Sequence, residues 1–229
     1  MIRKLVFVLV LALDTATSAV TAGLLRLPAA GPPELLAERV RVNARAHGEL
    51  LMPSVCEVLA SAGVSMRDLD AVVCGVGPGP FTGLRVGMVT AAALGDALGI
   101  PVYPVCSLDA IAYRFGPGSP LLVITDARRR EVYWACYDSS GMRVDGPHVS
   151  RPEDLPLAGV SRVAGGAAAL GSPATPRCQS EPCHPDPAAL VAVVAAALRA
   201  HAPPGPFTPL YLRRPDAIEP GPAKRVTPV

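Results

Sequence analysis

Two carboxylates sit at positions that could do chemistry. The apolar run Leu5–Leu13 ends in Asp14-Thr15-Ala16-Thr17, and the run Leu121–Thr125 ends in Asp126, about 112 residues later. A carboxylate followed by hydroxyls at the mouth of a hairpin can hold Mg²⁺ or phosphate, since hard cations take oxygen ligands and turns offer N–H groups to anions. Asp14, Thr15, Thr17 and Asp126 are therefore candidate nucleotide or phosphate residues. The competing reading is a turn that satisfies its own backbone. A second candidate is Gly77-Pro78-Gly79-Pro80-Phe81-Thr82-Gly83-Leu84-Arg85, set between a strand and a helix, where phosphates often bind. It fails both common phosphate-loop patterns, because Pro80 or Thr82 stands at the third glycine and Leu84 follows Gly83. Pro78 and Pro80 also remove two N–H donors. The plainer reading is a rigid turn that launches a helix capped by Thr82. Arg128, Arg129 and Arg130 form a triply charged hairpin turn, either solvated or in contact with an RNA backbone. His47 is a lone helical histidine, structural rather than catalytic by default. Cys178-x4-Cys183-His184 lacks a second paired half, so zinc is not expected. No Ser-His-Asp set or paired-carboxylate motif is found.

The elements that must position these residues follow from periodicity. Leu5–Leu13 reads as a strand covered on both faces, in competition with a secretory signal whose removal would delete it. Ala19–Leu27 completes a hairpin, and Leu35–Val42 is a further short strand. A helix capped by Asn43 runs to about Ala62, with an apolar stripe of Leu51, Val55, Leu59 and Ala62. Pro53 falls inside it and kinks it or marks its true start. Leu69–Val76 is a buried strand, and about Thr82 to Leu98 a helix that ends at Gly99. Along it Gly83, Gly87, Ala91 and Gly95 recur every four residues, a stripe against which another backbone can pack closely: the chain's own sheet or a partner helix. Val102–Val105 is a strand and Ser107–Arg114 a short helix. Glu131–Asp138 pairs with Leu121–Thr125, with Val132, Trp134 and Cys136 on one face and Tyr133, Ala135 and Tyr137 on the other. Ser150 to Pro187 reads as loop, Pro187–Ala202 as helix, and the proline-rich tail from Pro203 as extended across a surface. The two Asp-ended hairpins amount to a weak internal repeat.

Composition narrows the class. The 229 residues are 50% hydrophobic and 17% charged, with mean hydropathy +0.36, which excludes a disordered or coiled-coil chain. Net charge of +2 is too small to imply a nucleic-acid surface on its own. Four of the six cysteines lie inside apolar segments, consistent with a reduced, cytoplasmic protein. The Leu5–Leu13 run is too short to span a membrane. The result is an α/β chain with a mixed sheet.

Four blocks together resemble one family: Leu-Ala-Leu-Asp-Thr-Ala-Thr-Ser at 11–18, Gly-Pro-Gly-Pro-Phe-Thr-Gly-Leu-Arg-Val-Gly at 77–87, Asp-Ala-Arg-Arg-Arg-Glu-Val-Tyr-Trp-Ala at 126–135 and Pro-Leu-Tyr-Leu-Arg at 209–213. They look like TsaB (YeaZ), the tRNA threonylcarbamoyladenosine biosynthesis family, which has Ser where this chain has Pro80. The resemblance implies a two-lobed fold of the actin, heat-shock-ATPase and sugar-kinase kind, each lobe a mixed sheet opening with a β-hairpin and flanked by helices. An N-terminal lobe of 1–105 and a C-terminal lobe of 106–229 are expected, with the C-terminal helix or tail packing back on the first. It implies a non-catalytic scaffold that binds a TsaD-like catalytic homologue, with a TsaE-like ATPase and, through the complex, tRNA. ATP and a metal are expected in those partners and no cofactor in the isolated chain, which forms a homodimer when alone. The homologue's two metal histidines align with Ser107 and Ile111, which cannot replace them. The helix pair is implied as the docking element through His47, Leu50, Leu51, Ser54, Gly83, Leu84, Gly87, Met88 and Ala91, and Gly87→Leu is expected to block docking without unfolding the chain. The alternatives are an ATP-binding kinase or phosphohydrolase using Asp14 and Asp126, and a metal-dependent peptidase-like protein.

Overall fold

Phe7–Asp14 (β1) lies at the centre of a five-stranded sheet, paired with Ala19–Pro28 (β2) on one side and Ala71–Gly75 (β4) on the other. A computed structural model describes residues 7–165, 178–179 and 184–213. The central position explains the unbroken apolar run, because both faces of β1 are covered. Leu9, Leu11 and Leu13 join the core under His47–Ser61 (α1) and Phe81–Leu98 (α2). Val8, Val10 and Ala12 join the core under Pro187–Val193 (α4) and Ala195–Arg199 (α5). Each fully buried leucine contributes roughly 1.5–3 kcal/mol. Glu34–Val42 (β3) and Val102–Val105 (β5) complete the sheet in the order β3-β2-β1-β4-β5.

The second sheet repeats that order. Leu121–Asp126 (β6) is central, flanked by Val132–Tyr137 (β7) and Arg162–Gly165 (β9), with Arg143–Ser150 (β8) and Cys178–Gln179 (β10) at the edges. In both sheets the first three strands are antiparallel and the fourth and fifth run parallel to the first. The weak repeat of two Asp-ended hairpins is therefore a repeat of whole sheets. Val132, Trp134 and Cys136 pack on one face of β7, and Ala135 and Tyr137 on the other, as their alternation requires.

Sequence reading missed β8 and β9. The first is an exposed edge strand carrying Gly146 and Pro147, so it has no apolar alternation to read. The second is four residues long inside a segment read as loop. Ser107–Tyr113 (α3) is fastened to the second sheet by Tyr137, whose hydroxyl donates to Asp109 Oδ1 at 2.8 Å, while Arg143 approaches the same oxygen at 3.5 Å. The Asp109 carboxyl is pushed up by burial, partly opposed by Tyr137 and Arg143.

Two expected caps are not used. Asn43 Oδ1 accepts from Arg45 N at 3.1 Å in a turn ahead of α1, whose N-cap is Ala46. Pro53 lies inside α1, so it does not mark the start. Thr82 falls in the first turn of α2, behind the N-cap Pro80, and caps nothing. Gly99 does close α2, in the left-handed region at φ +66°. Cys74 and Cys106 are buried, but Cys56 is exposed on α1. The Cys178-x4-Cys183-His184 candidate falls largely outside the described residues, and no described helix is long and apolar enough to cross a membrane. The C-terminal helix α4 packs on the first sheet: Thr21 Oγ1 donates to Pro185 O at 3.1 Å, and a Cβ on Gly23 would overlap Pro187.

Candidate functional site

Asp14 is completely buried at the end of β1. Ser107 Oγ donates to its Oδ2 at 2.6 Å and Ala16 N to its Oδ1 at 2.9 Å. Desolvation raises its pKa to about 6, against the lowering effect of those two hydrogen bonds. A Cβ on Gly75 would overlap Oδ2, so the carboxylate fits only because β4 ends in glycine. Ser107 here serves as the carboxylate's donor.

The turn after Asp14 is closed just as tightly. Thr15 Oγ1 donates to Gly83 O at 2.7 Å and accepts from Gly87 N at 2.9 Å. Gly79 lies against the Ala16 backbone so closely that a Cβ there would overlap it. His47 Nε2 donates to Thr17 O at 2.9 Å, which gives this buried histidine a structural task. Thr17 Oγ1 accepts from Ala19 N at 3.2 Å. Thr15 and Thr17 thus bond the chain's own backbone, with α2 packed against Thr15.

The glycine stripe on α2 answers the question of what it faces. Gly83 and Gly87 meet Thr15, Gly95 meets Val102, and Ala91 is fully buried. The stripe packs on the chain's own turn and sheet. Of the nine residues expected to dock a partner, all but the half-buried Leu50 are buried in this core: His47, Leu51, Ser54, Gly83, Leu84, Gly87, Met88 and Ala91. In this chain they pack inward and set the helix pair in place. Gly87→Leu would force a side chain into Thr15 and disturb the fold itself, which corrects the expectation that it acts on docking alone. The outward flank of α2 carries Val89, 66% exposed, beside the half-buried Val86.

Asp126, the counterpart of Asp14, is exposed. Its Oδ1 accepts from Arg128 N at 2.7 Å, and its Oδ2 lies 3.4 Å from the Arg128 guanidinium. Arg128, Arg129 and Arg130 all adopt positive φ, at +65°, +51° and +64°, a conformation that costs L-residues roughly 1–2 kcal/mol each. Glu131 N donates to Arg128 O at 3.0 Å to close the turn. Arg213 braces it, donating to Ala127 O at 3.0 Å and pairing with Glu131 at 3.2 Å.

Between the two halves lies a cavity of about 290 Å³, lined by Gly79, Pro80, Phe81, Ala127, Arg128, Arg129, Tyr133, Tyr211, Leu212 and Arg213. The extended tail forms one wall: Leu210 N donates to Val76 O at 2.9 Å, and Tyr211 OH accepts from Arg85 Nε at 2.7 Å. Sequence reading passed over Phe81, Tyr133, Tyr211 and Arg213 as site residues, although three of the four motif blocks contain them. No cluster of three or more metal-ligating side chains occurs among the described residues.

Two sheets of identical strand order, facing across a cleft and each opening with a hairpin, define an α/β protein of the actin, heat-shock-ATPase and sugar-kinase class. Residues 35–165 match the sequence family described as TsaD: tRNA N6-adenosine threonylcarbamoyltransferase. An uncharacterized protein of Mycobacterium tuberculosis (strain H37Rv) is 54% identical over 211 residues, covering 91% of this chain and 93% of that protein. The Escherichia coli (strain K12) tRNA threonylcarbamoyladenosine biosynthesis protein TsaB is 33% identical over 138 residues, covering 58% of this chain and 57% of that one. The solved structure of YeaZ from Pseudomonas aeruginosa superposes with a TM-score of 0.73 at 28% identity, over 90% of this chain and 100% of that one. A further Pseudomonas aeruginosa structure, described as an uncharacterized protein with similarity to peptidase YEAZ, gives the same TM-score at 30% identity. The chain belongs to this family, in its TsaB (YeaZ) branch.

Proposed function

We propose that this chain is a non-catalytic scaffold in the formation of threonylcarbamoyladenosine on tRNA, at the adenosine 3′ of the anticodon, acting by binding a TsaD-like catalytic homologue. The observation that carries the reading is the closed Asp14 end: Ser107 and Gly75 pack on the Asp14 carboxylate, and Gly83 and Gly87 on Thr15, leaving the carboxylate no access to solvent. A kinase or phosphohydrolase using Asp14 and Asp126 would need Asp14 reachable from solvent, and Asp14 is fully buried. The N-terminal lobe, residues 1–105, supplies the docking element. Within it the buried residues of α1 and α2 fix the helix pair, and the exposed flank around Leu50, Val86 and Val89 meets the partner. An ATPase of the TsaE kind joins the assembly, tRNA is engaged through it, and alone the chain pairs with a second copy by the same flank.

The test is reconstitution of tRNA modification from this chain, its TsaD-like partner, the ATPase and tRNA, omitting each in turn. Omitting this chain is expected to abolish modification, and the chain alone to show no ATP turnover. Val89→Asp is expected to weaken partner capture at least tenfold with an unchanged melting temperature. Full modification without this chain would refute the reading.

A further inference from the structure

We propose that the segment 202–213 is a strap that crosses the mouth of the cleft and locks the two halves of the molecule at one relative angle. It stands or falls independently of the scaffold reading, because its test follows motion within the chain and needs no partner.

The strap has no helix or strand of its own, yet it is tied down along its length. Terminal segments of this kind are poorly ordered unless they are anchored. The first tie is to the edge strand β5 of the first sheet, where Tyr103 OH donates to Ala202 O at 2.8 Å. Phe207 packs against the core under α1 and α2. Leu210 N donates to Val76 O at 2.9 Å, one residue past the end of β4, and Arg85 Nε of α2 donates to Tyr211 OH at 2.7 Å. The far end then crosses to the second half. Arg213 donates to Ala127 O at 3.0 Å and pairs with Glu131 at 3.2 Å, so it grips both ends of the turn between β6 and β7. That ion pair is half-buried, which spares it much of the screening that weakens exposed pairs.

Leu210 shows where the strap acts. Its side chain packs against the core of the first sheet and also against the cluster that Leu108 and Ile111 of α3 build with the second sheet. One side chain therefore fills the seam between the halves, and opening the seam would wet apolar surface on both sides.

Position makes these ties a lock. A chain crossing between the halves runs through α3, where Ser107 N donates to Gly77 O at 2.7 Å. Bodies joined by chain crossings rotate about them as hinges, and a tie across the mouth opposes that rotation. Tyr133 OH also reaches Gly79 O across the mouth, but at 3.4 Å the bond is long and weak, so the strap carries most of the closure. Pro203, Pro204, Pro206 and Pro209 stiffen the strap. Their fixed φ leaves the loose segment fewer conformations to lose on docking, so a few anchors suffice to hold it.

The experiment follows amide hydrogen exchange, residue by residue, in the full-length chain and in two variants that cut the Arg213–Glu131 tie from opposite sides, Arg213→Ala and Glu131→Gln. The reporters are Leu210 N–H in the strap, Ser107 N–H at the crossing between the halves, and the Leu11 and Val123 N–H groups inside the two sheets. Leu210 and Ser107 are expected to exchange at least tenfold faster in Arg213→Ala and at least threefold faster in Glu131→Gln, while Leu11 and Val123 keep their wild-type rates because each sheet stays folded. Should Arg213→Ala speed all four by loosening the whole fold, Glu131→Gln, which keeps every strap side chain, decides by the same criteria. Faster exchange at Leu210 with Ser107 unchanged makes the strap a local surface contact and overturns the lock. Unchanged exchange at Leu210 in both variants overturns it as well.

Discussion

Asp14 and Asp126 terminate equivalent strands in sheets of the same order, and their surroundings are opposite. Asp14 is sealed beneath Gly75, bonded by Ser107 and desolvated until its carboxyl titrates near 6. Asp126 faces water and grips the turn that follows it. The difference lies in what covers each hairpin. In the first half α2 brings Gly83 and Gly87 onto the turn, so backbone replaces solvent or ligand. In the second half no described helix covers the turn, which projects its arginines toward the cavity. One repeat unit has been closed into structure and its copy left open.

The largest effect that would break this contrast is expected from Gly75→Ala. Its methyl group overlaps the Asp14 carboxylate, and a loss of about 3 kcal/mol or more should appear in denaturant unfolding, with Asp126→Asn as the unaffected control. A pH experiment sharpens it further. Because the folded-state pKa of Asp14 is raised, its contribution to stability is greatest below about pH 4 and is lost as pH rises through about 6, a difference of roughly 3 kcal/mol for about two pH units. Asp14→Asn should remove that downward slope between pH 4 and 6, measured as the difference between mutant and wild-type unfolding profiles.

Thr15→Val ranks next. It leaves the buried Gly87 N–H and Gly83 carbonyl without their hydroxyl partner, for a loss of about 1–3 kcal/mol. On the open side the signs and sizes change. Arg128→Gly relieves a left-handed L-residue and should raise the melting temperature slightly, by up to ~1 kcal/mol of stability. Asp126→Asn, which touches only an exposed pair and one turn hydrogen bond, should stay within about 1 kcal/mol of wild type.

How much of this was legible beforehand varies by residue. The unbroken run before Asp14 identifies a central strand because only a doubly covered strand tolerates it. The alternation in Val132–Tyr137 gives both faces of β7 correctly for the same reason of period. The edge strand β8 left no signal, since an exposed strand needs no apolar alternation. The caps at Asn43 and Thr82 misled because side-chain capping is a local preference that the incoming chain can override. The four-residue spacing of glycines announced a close approach without saying to what.

Sequence alone determined the α/β class, the paired hairpins, the family and the positions of both aspartates, because strand period, turn chemistry and motif order are written locally along the chain. Only the tertiary structure decided that the glycine stripe serves the chain's own Thr15, that Asp14 is closed while Asp126 is open, and that Phe81, Tyr133, Tyr211 and Arg213 meet around one cavity. Burial and charge balance arise from residues far apart in sequence, such as Asp14 with Ser107 and Arg85 with Tyr211, and no local pattern records those meetings.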